Sequence, residues 1–111
     1  EMIAGVNRDP TFGPVVLAGA GGVLTELLRD TALRVAPFDP EEALRMIGEL
    51  RVARLLDGYR GTPARDRAAL AELLSRLSLL AARYPAIREV DLNPVFVLER
   101  GVVIGDARLL N

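Results

Sequence analysis

Four polar residues in the last quarter of the chain, Asp91, Asn93, Asp106 and Arg108, supply the groups that a magnesium–phosphate site uses: two carboxylates, an amide oxygen and a guanidinium. Mg2+ prefers hard oxygen ligands, takes one or two protein carboxylates, and completes its octahedron with water and phosphate oxygens. An arginine fork suits a phosphate oxygen. These residues meet only if the segments that carry them pair. Residues 88–98 and 102–110 both read as strand, joined by the polar break Glu99-Arg100-Gly101. With Glu99 and Arg100 as the central turn residues, Leu98 faces Gly101, Val97 faces Val102, Val95 faces Ile104, Asn93 faces Asp106 and Asp91 faces Arg108. Strand side chains alternate, so the ladder from Val97 back to Asp91 lies on one face and turns polar only at the end far from the turn. Val90, Leu92, Phe96 and Leu98, with Val103, Ala107 and Leu109, are then expected to face the core. A one-residue slip would change every partner. On spacing alone the plainer account is favoured, a bend at Asn93-Pro94 and a cross-strand ion pair between Asp91 and Arg108, because short motifs recur by chance.

The hairpin needs a scaffold, and the rest of the chain reads as one. Residues 2–7 form a strand, followed by turn chemistry over 7–14. Val15-Val16-Leu17-Ala18 is a second short strand ending at Gly19-Ala20-Gly21-Gly22, whose backbone N–H groups could approach phosphate oxygens or simply make a tight turn. That loop lacks the Lys-Ser/Thr of a P-loop and the spacing of a dinucleotide fingerprint. Residues 24–28 and 31–36 are expected to pair as a hairpin about Arg29-Asp30. Asp39-Pro40-Glu41-Glu42 is a helix start with an Asp cap, proline in the first turn and Glu at the capping-box position, and Ala43, Leu44, Met46, Ile47 and Leu50 form its apolar stripe. Residues 55–61 read as an interhelical loop. Thr62-Pro63 is expected to start a second helix, carried by Leu70, Leu73, Leu74, Leu77, Leu80, Ala81 and Tyr84 and stopped by Pro85. Its Arg67, Glu72, Arg76 and Arg83 read as a solvated face. Strands, then two helices, then a hairpin make an α+β pattern, a mostly antiparallel sheet with two helices on one face.

Composition narrows the function further. A chain of 111 residues, half of them apolar, holds one modest core. It opens directly on a strand, so a longer parent protein is expected. The net charge of −1 comes from balanced acids and bases, which argues against nucleic acid and membrane surfaces as partners. The longest uncharged run, residues 10–25, is glycine-rich and shorter than the roughly 20 residues of a membrane span. The absence of cysteine removes disulfides and thiolate chemistry and agrees with a cytoplasmic setting. The absence of histidine removes imidazole bases, imidazole metal ligands and any phosphohistidine from these residues.

The string Asp91-Leu92-Asn93-Pro94, a hairpin, then Gly105-Asp106-Ala107-Arg108 resembles the end of the ATP-grasp domain of ADP-forming acyl-CoA synthetases and their relative, the succinyl-CoA synthetase β subunit. Residues 5–16, Gly19-Ala20-Gly21-Gly22, Arg34-Val35-Ala36-Pro37 and residues 55–61 resemble successive blocks of that family in the same order, so the likeness covers essentially the whole chain. The resemblance implies that residues 1–111 are the C-terminal subdomain of an ATP-grasp domain, binding ATP and Mg2+. Asn93 and Asp106 then occupy the magnesium-ligand positions, Asp91 stands where the family has a supporting acid, and Arg108 matches a basic residue suited to a phosphate contact. Glu1 aligns with an acid near the nucleotide ribose. Gly19, Gly21, Gly22, Arg34 and Arg60 are phosphate candidates, for which a tight turn or a solvated surface is the competing reading. The implied partners are CoA, a carboxylic acid, an N-terminal ATP-grasp subdomain and a CoA-binding domain, and the implied reaction runs through an acyl phosphate and a phosphohistidine. The alternative is a regulatory ligand-binding domain of a GNAT-type protein acetyltransferase.

Overall fold

The computed structural model describes residues 1–22 and 29–111. Strand β1 (Met2–Asp9) turns directly into β2 (Gly13–Ala20), with Met2 opposite Ala20 and Asp9 opposite Gly13. The expected loop over 7–14 shrinks to a tight turn, because the Asp9 carboxylate accepts the amides of Thr11 (2.8 Å) and Phe12 (3.0 Å) and lets pairing continue to its edge. β3 (Thr31–Val35) pairs antiparallel with β2. The expected pairing partner of β3 at residues 24–28 lies outside the described residues. The two closing strands of the sequence reading are present as β4 (Glu89–Val97), β5 (Val102–Ile104) and β6 (Ala107–Leu110), the last two separated by Gly105 and Asp106. The sheet order is β3-β2-β1-β4-β5, with β6 also paired to β4, all antiparallel.

Three helices are present among the described residues, one more than expected: α1 (Pro40–Gly48), α2 (Ala53–Leu56) and α3 (Arg67–Arg83). α1 starts as its sequence dictates, with the Asp39 carboxylate accepting the Glu42 amide at 2.8 Å and Pro40 in the first turn. Ala43, Met46, Ile47 and Leu50 are buried, whereas Leu44 is exposed. α3 does not begin at Thr62-Pro63. Thr62 exchanges backbone hydrogen bonds with Tyr59, which spends it in a turn, and Asp66 caps the helix by accepting from the Ala69 amide at 2.9 Å. The leucine stripe of α3 buries Leu70, Leu74 and Leu77, and the helix stops before Pro85 as expected. Two buried serines that the pattern does not single out tie α3 to the entry of α1. Ser75 Oγ donates to the Phe38 carbonyl at 2.7 Å, and the Phe38 amide donates to Ser78 Oγ at 3.1 Å.

The helices lie on one face of the sheet. Met2, Ala4, Val6, Val16, Ala18 and Ala32 point toward them with Val90, Leu92, Val95 and Val97, and form one core with Met46, Ile47, Leu70 and Leu74. Two links tie the helical layer to the sheet. Arg8 donates to the carbonyls of Ala81 (2.8 Å), Tyr84 (2.9 Å) and Ile87 (2.9 Å), holding the end of α3 to β1. The buried Asp30 carboxylate accepts the amides of Arg51 (2.7 Å) and Val52 (2.9 Å), which satisfies it and anchors the stretch leading into α2.

Candidate metal and nucleotide site

The final hairpin adopts the expected register. Val97 pairs with Val102, Val95 with Ile104, Leu92 with Ala107 and Asp91 with Arg108. At the break between β5 and β6, the Asn93 amide donates to the Asp106 carbonyl at 3.1 Å and the Gly105 amide donates to the Pro94 carbonyl at 2.8 Å. Asn93 and Asp106 are therefore locked opposite one another, and the side chains of both are exposed.

The expected faces hold on only half of the hairpin. Against β1, Ala4 pairs with Leu92 and Met2 with Val95, so one β1 residue, Ile3, spans two on β4, Asn93 and Pro94. This bulge reverses the alternation. Val90 and Leu92 face the core before it, and Val95 and Val97 face the core after it. Phe96, Leu98 and Val103, expected in the core, are exposed instead, as is Leu109 at the sheet edge. The bulge gathers Asp91, Asn93, Phe96 and Leu98 onto the uncovered side of β4. Gly105 sits against this kink: a Cβ there would lie 2.9 Å from Pro94 Cγ and 3.0 Å from Phe96 Cε2, so only glycine lets the strand pass and place Asp106 beside Asn93.

The plainer account of the hairpin is half right. The bend at Asn93-Pro94 exists, but Arg108 approaches Asp106 along its own strand, Nε to Oδ2 at 3.8 Å, rather than Asp91 across the ladder. With the two side chains 82% and 61% exposed, that contact is long and solvent-screened and leaves both groups available. No cluster of three or more His, Cys, Asp or Glu suited to a metal occurs among the described residues. An amide oxygen and a carboxylate at adjacent exposed positions fit Mg2+, which leaves most of its coordination sphere to water and phosphate. They do not make a closed protein cage.

The other candidates divide. Glu1 lies beside the glycine loop, where the Gly21 amide donates to the Glu1 carbonyl at 3.0 Å. Gly22, at φ +68°, sits so close that a Cβ there would be 3.2 Å from Glu1 Oε2. The loop is less open to phosphate than expected of Gly19, Gly21 and Gly22, because the Ala20 amide is donated to the Asp30 carbonyl at 2.9 Å and the Gly21 amide to Glu1. Arg34 does not fit the phosphate assignment. It pairs with the fully buried Val16 and so lies on the helix side, where Nε holds Glu42 at 2.9 Å and the guanidinium also grips Glu49. Those two carboxylates, Glu49 first, raise the Arg34 pKa and are themselves lowered by it, so Arg34 clamps β3 to α1.

The open face carries a shallow groove of about 300 Å³ lined by Ile3, Gly5, Asn7, Leu17, Leu33 and Asp91. A larger cleft of about 540 Å³ lies at the far end of β4, between Phe96 and Leu98 on one side, Tyr59, Arg60 and Arg65 on another, and Glu1. Sequence reasoning assigned Phe96 and Leu98 to the core and missed this cleft. The available signal was Pro94 within a strand, which marks a bulge.

Over residues 1–110 the chain matches the family described as ATP-grasp domain. It is 44% identical over 110 residues to acetate–CoA ligase (ADP-forming) I of Archaeoglobus fulgidus, covering 99% of this chain and 16% of that protein. It is 42% identical to the β subunit of acetate–CoA ligase (ADP-forming) I of Pyrococcus furiosus, covering 99% of this chain and 47% of that one. The chain thus spans about half of a subunit, or about a sixth of a single-chain relative. Its fold superposes with a TM-score of 0.95 and 42% identity on dinucleotide-forming acetyl-coenzyme A synthetase 1 of Ca. Korarchaeum cryptofilum, covering 99% of this chain and 52% of that one. That structure holds coenzyme A and Mg-AMPPCP, with a phosphohistidine segment pointing towards the nucleotide-binding site.

Proposed function

Because this chain belongs to the ATP-grasp family, we propose that it is the C-terminal, Mg-ATP-binding subdomain of an ADP-forming acyl-CoA synthetase, which converts a carboxylic acid, CoA and ATP to acyl-CoA, ADP and phosphate. The observation that carries the reading is the Asn93–Asp106 pair, held opposite each other across the hairpin by the 3.1 Å backbone bond and exposed on the hairpin.

In this reading Asn93 Oδ1 and the Asp106 carboxylate would hold the Mg2+ that accompanies the nucleotide. Mg2+, when bound, offsets charge on the transferring γ-phosphoryl group and aligns it, which is most of what phosphoryl transfer asks of a protein. Asp91, exposed two residues before Asn93 on the same strand, would serve as a supporting acid beside these two ligands. Arg108 supplies positive charge beside Asp106 for a phosphate oxygen. Glu1, against Gly22, offers its carboxylate to the ribose hydroxyls. With no histidine in the sequence, the group that receives the phosphoryl must come from another part of the enzyme, as must the N-terminal half of the nucleotide grip and the CoA-binding domain.

The test is ADP release by the full-length protein with ATP, CoA and a panel of carboxylic acids. Asp106→Asn and Asn93→Ala are expected to lower the rate at least tenfold, within the roughly 10- to 1000-fold range for loss of a preorganised charge-stabilising group, and to raise the Mg2+ requirement. Normal activity and normal magnesium dependence in both variants overturn the assignment.

A further inference from the structure

The turn after α2 is built around a conformation that arginine rarely adopts. Tyr59 and Thr62 exchange backbone hydrogen bonds of 3.2 and 3.0 Å, which leaves Arg60 and Gly61 as the two central residues. Both have positive φ, +49° and +81°, the signature of a type I′ turn. Such turns favour Asn, Asp or Gly at the first central position, because a side chain with a Cβ crowds the backbone there. Arg60 takes that position with no charged partner among the described residues, and its guanidinium carbon lies 5.3 Å from the centre of the Tyr59 ring. Backbone strain of this kind persists where the surrounding structure enforces it, and it clusters at ligand sites.

The surroundings do enforce it. The Arg65 amide donates to the Leu56 carbonyl at 2.6 Å, the Asp66 amide donates to the Leu98 carbonyl at 2.7 Å, and the Gly101 amide donates to the Asp66 carboxylate at 2.6 Å. The loop is thus strapped at its base to α2 and to the β4–β5 turn. The strapped loop lines the 540 Å³ cleft, within the size range of small-ligand sites, and there Arg60 and Arg65 share the lining with Phe96 and Glu1. Arg8, Arg34 and Arg67, by contrast, are committed to carbonyls or carboxylates of the scaffold.

We propose that this cleft binds a phosphate oxyanion of the enzyme's ligand, with Arg60 as the principal contact. The ligand's identity rests on the functional reading above, and the shared chemistry, a phosphate ester beside a flat apolar surface, is common to the nucleotide and to CoA. A guanidinium held out by a strained turn and stacked on an aromatic ring loses little freedom when it meets a phosphate.

The test uses the full-length protein, titrated calorimetrically with Mg-ADP, CoA and inorganic pyrophosphate in wild type, Arg60→Asn, Arg60→Lys and Asp106→Asn. Asparagine accepts the left-handed turn and lacks the charge, so Arg60→Asn is expected to melt no lower than wild type. It is expected to bind pyrophosphate and one of the two larger ligands roughly ten- to a hundredfold more weakly, with partial recovery in Arg60→Lys. The larger ligand that loses affinity identifies the source of the phosphate. Affinities for all three ligands within about twofold of wild type in Arg60→Asn overturn the proposal. If Asp106→Asn still weakens Mg-ADP in that case, the functional reading stands without this cleft. If wild type binds pyrophosphate through Arg60 but neither nucleotide nor CoA, the cleft stands and the functional reading falls. Wild type binding none of the three overturns both.

Discussion

On the helix-covered side of the sheet, Ala4, Ala18, Ala20 and Ala32 alternate along their strands with residues that face away, and their small side chains let α1 and α3 sit close on the sheet. On the uncovered side β1 and β4 present Gly5, Asn7, Asp91, Asn93 and Phe96, with nothing among the described residues to cover them. The polar groups of the two faces are treated in opposite ways. Arg34 on the covered side is bound by Glu42 and Glu49, and the buried Ser75 and Ser78 hydroxyls are bonded to the backbone. Asn93 and Asp106 are fixed through their backbones, while their side chains stay exposed. One face spends its polar chemistry on holding the fold together, and the other keeps it available for a ligand.

The largest effect that would sharpen this contrast lies in the core. Leu74 is fully buried on α3. Leu74→Ala is expected to cost about 2–5 kcal/mol of unfolding free energy, measured by urea denaturation, through lost transfer energy and the cavity left behind. If the open face is a separate functional layer, the magnesium requirement of the surviving folded protein will not change. A large shift in that requirement would mean that the two faces are not independent.

The second effect inverts the first. Gly105→Ala places a Cβ about 3 Å from Pro94 and Phe96, and the neighbours must give way where β5 passes into β6. The global fold has little at stake in this exposed break, so the melting temperature is expected to move by only a few degrees. The position of Asp106 relative to Asn93 has much at stake. The Mg2+ concentration for half-maximal ADP release is expected to rise about tenfold, the lower end of what misoriented support of a metal ligand costs. An unchanged magnesium requirement would show that the close packing at Gly105 does not position Asp106.

This also shows which parts of the site were legible in the sequence. The pairing of Asn93 with Asp106 followed from one assumption, a turn centred on Glu99 and Arg100, because antiparallel register propagates from the turn without further choices. The faces did not follow, because strict alternation fails wherever one strand carries an extra residue, and the bulge opposite Ile3 moved Phe96 from the expected core to the open face. The start of α3 was misplaced for a related reason. Thr62-Pro63 has the local chemistry of a cap, but Thr62 is consumed by Tyr59 in the Arg60-Gly61 turn, and Asp66 is the carboxylate with an amide to accept. Arg34 was read as a phosphate candidate because its two partners sit 8 and 15 residues further on, at a distance that no local pattern connects.

The smallest effect tests the strap between the two regions. Asp66 accepts the Gly101 amide at 2.6 Å and the Ala69 amide at 2.9 Å, and these bonds, Gly101 first, hold its pKa below the ordinary aspartate value. A carboxyl whose pKa is lower folded than unfolded stabilises the fold where it is ionised in both states, and that stabilisation is lost as pH falls through the folded pKa. The contribution is therefore complete at pH 6 and fades below about pH 4, the unfolded aspartate value. Glu42 and Glu49, lowered by Arg34, titrate in the same direction, so the raw acid profile sums all three groups. The difference in melting temperature between wild type and Asp66→Ala isolates the one group. It is expected to be small and constant from neutral pH down to about 5, then to shrink as the wild-type carboxylate protonates and releases the Gly101 amide. The protection factor of the Gly101 amide, taken relative to its intrinsic exchange rate at each pH, should fall over the same interval while those in the α3 core do not. A difference that stays constant through pH 3 would mean that the link between helix and hairpin does not depend on the Asp66 charge.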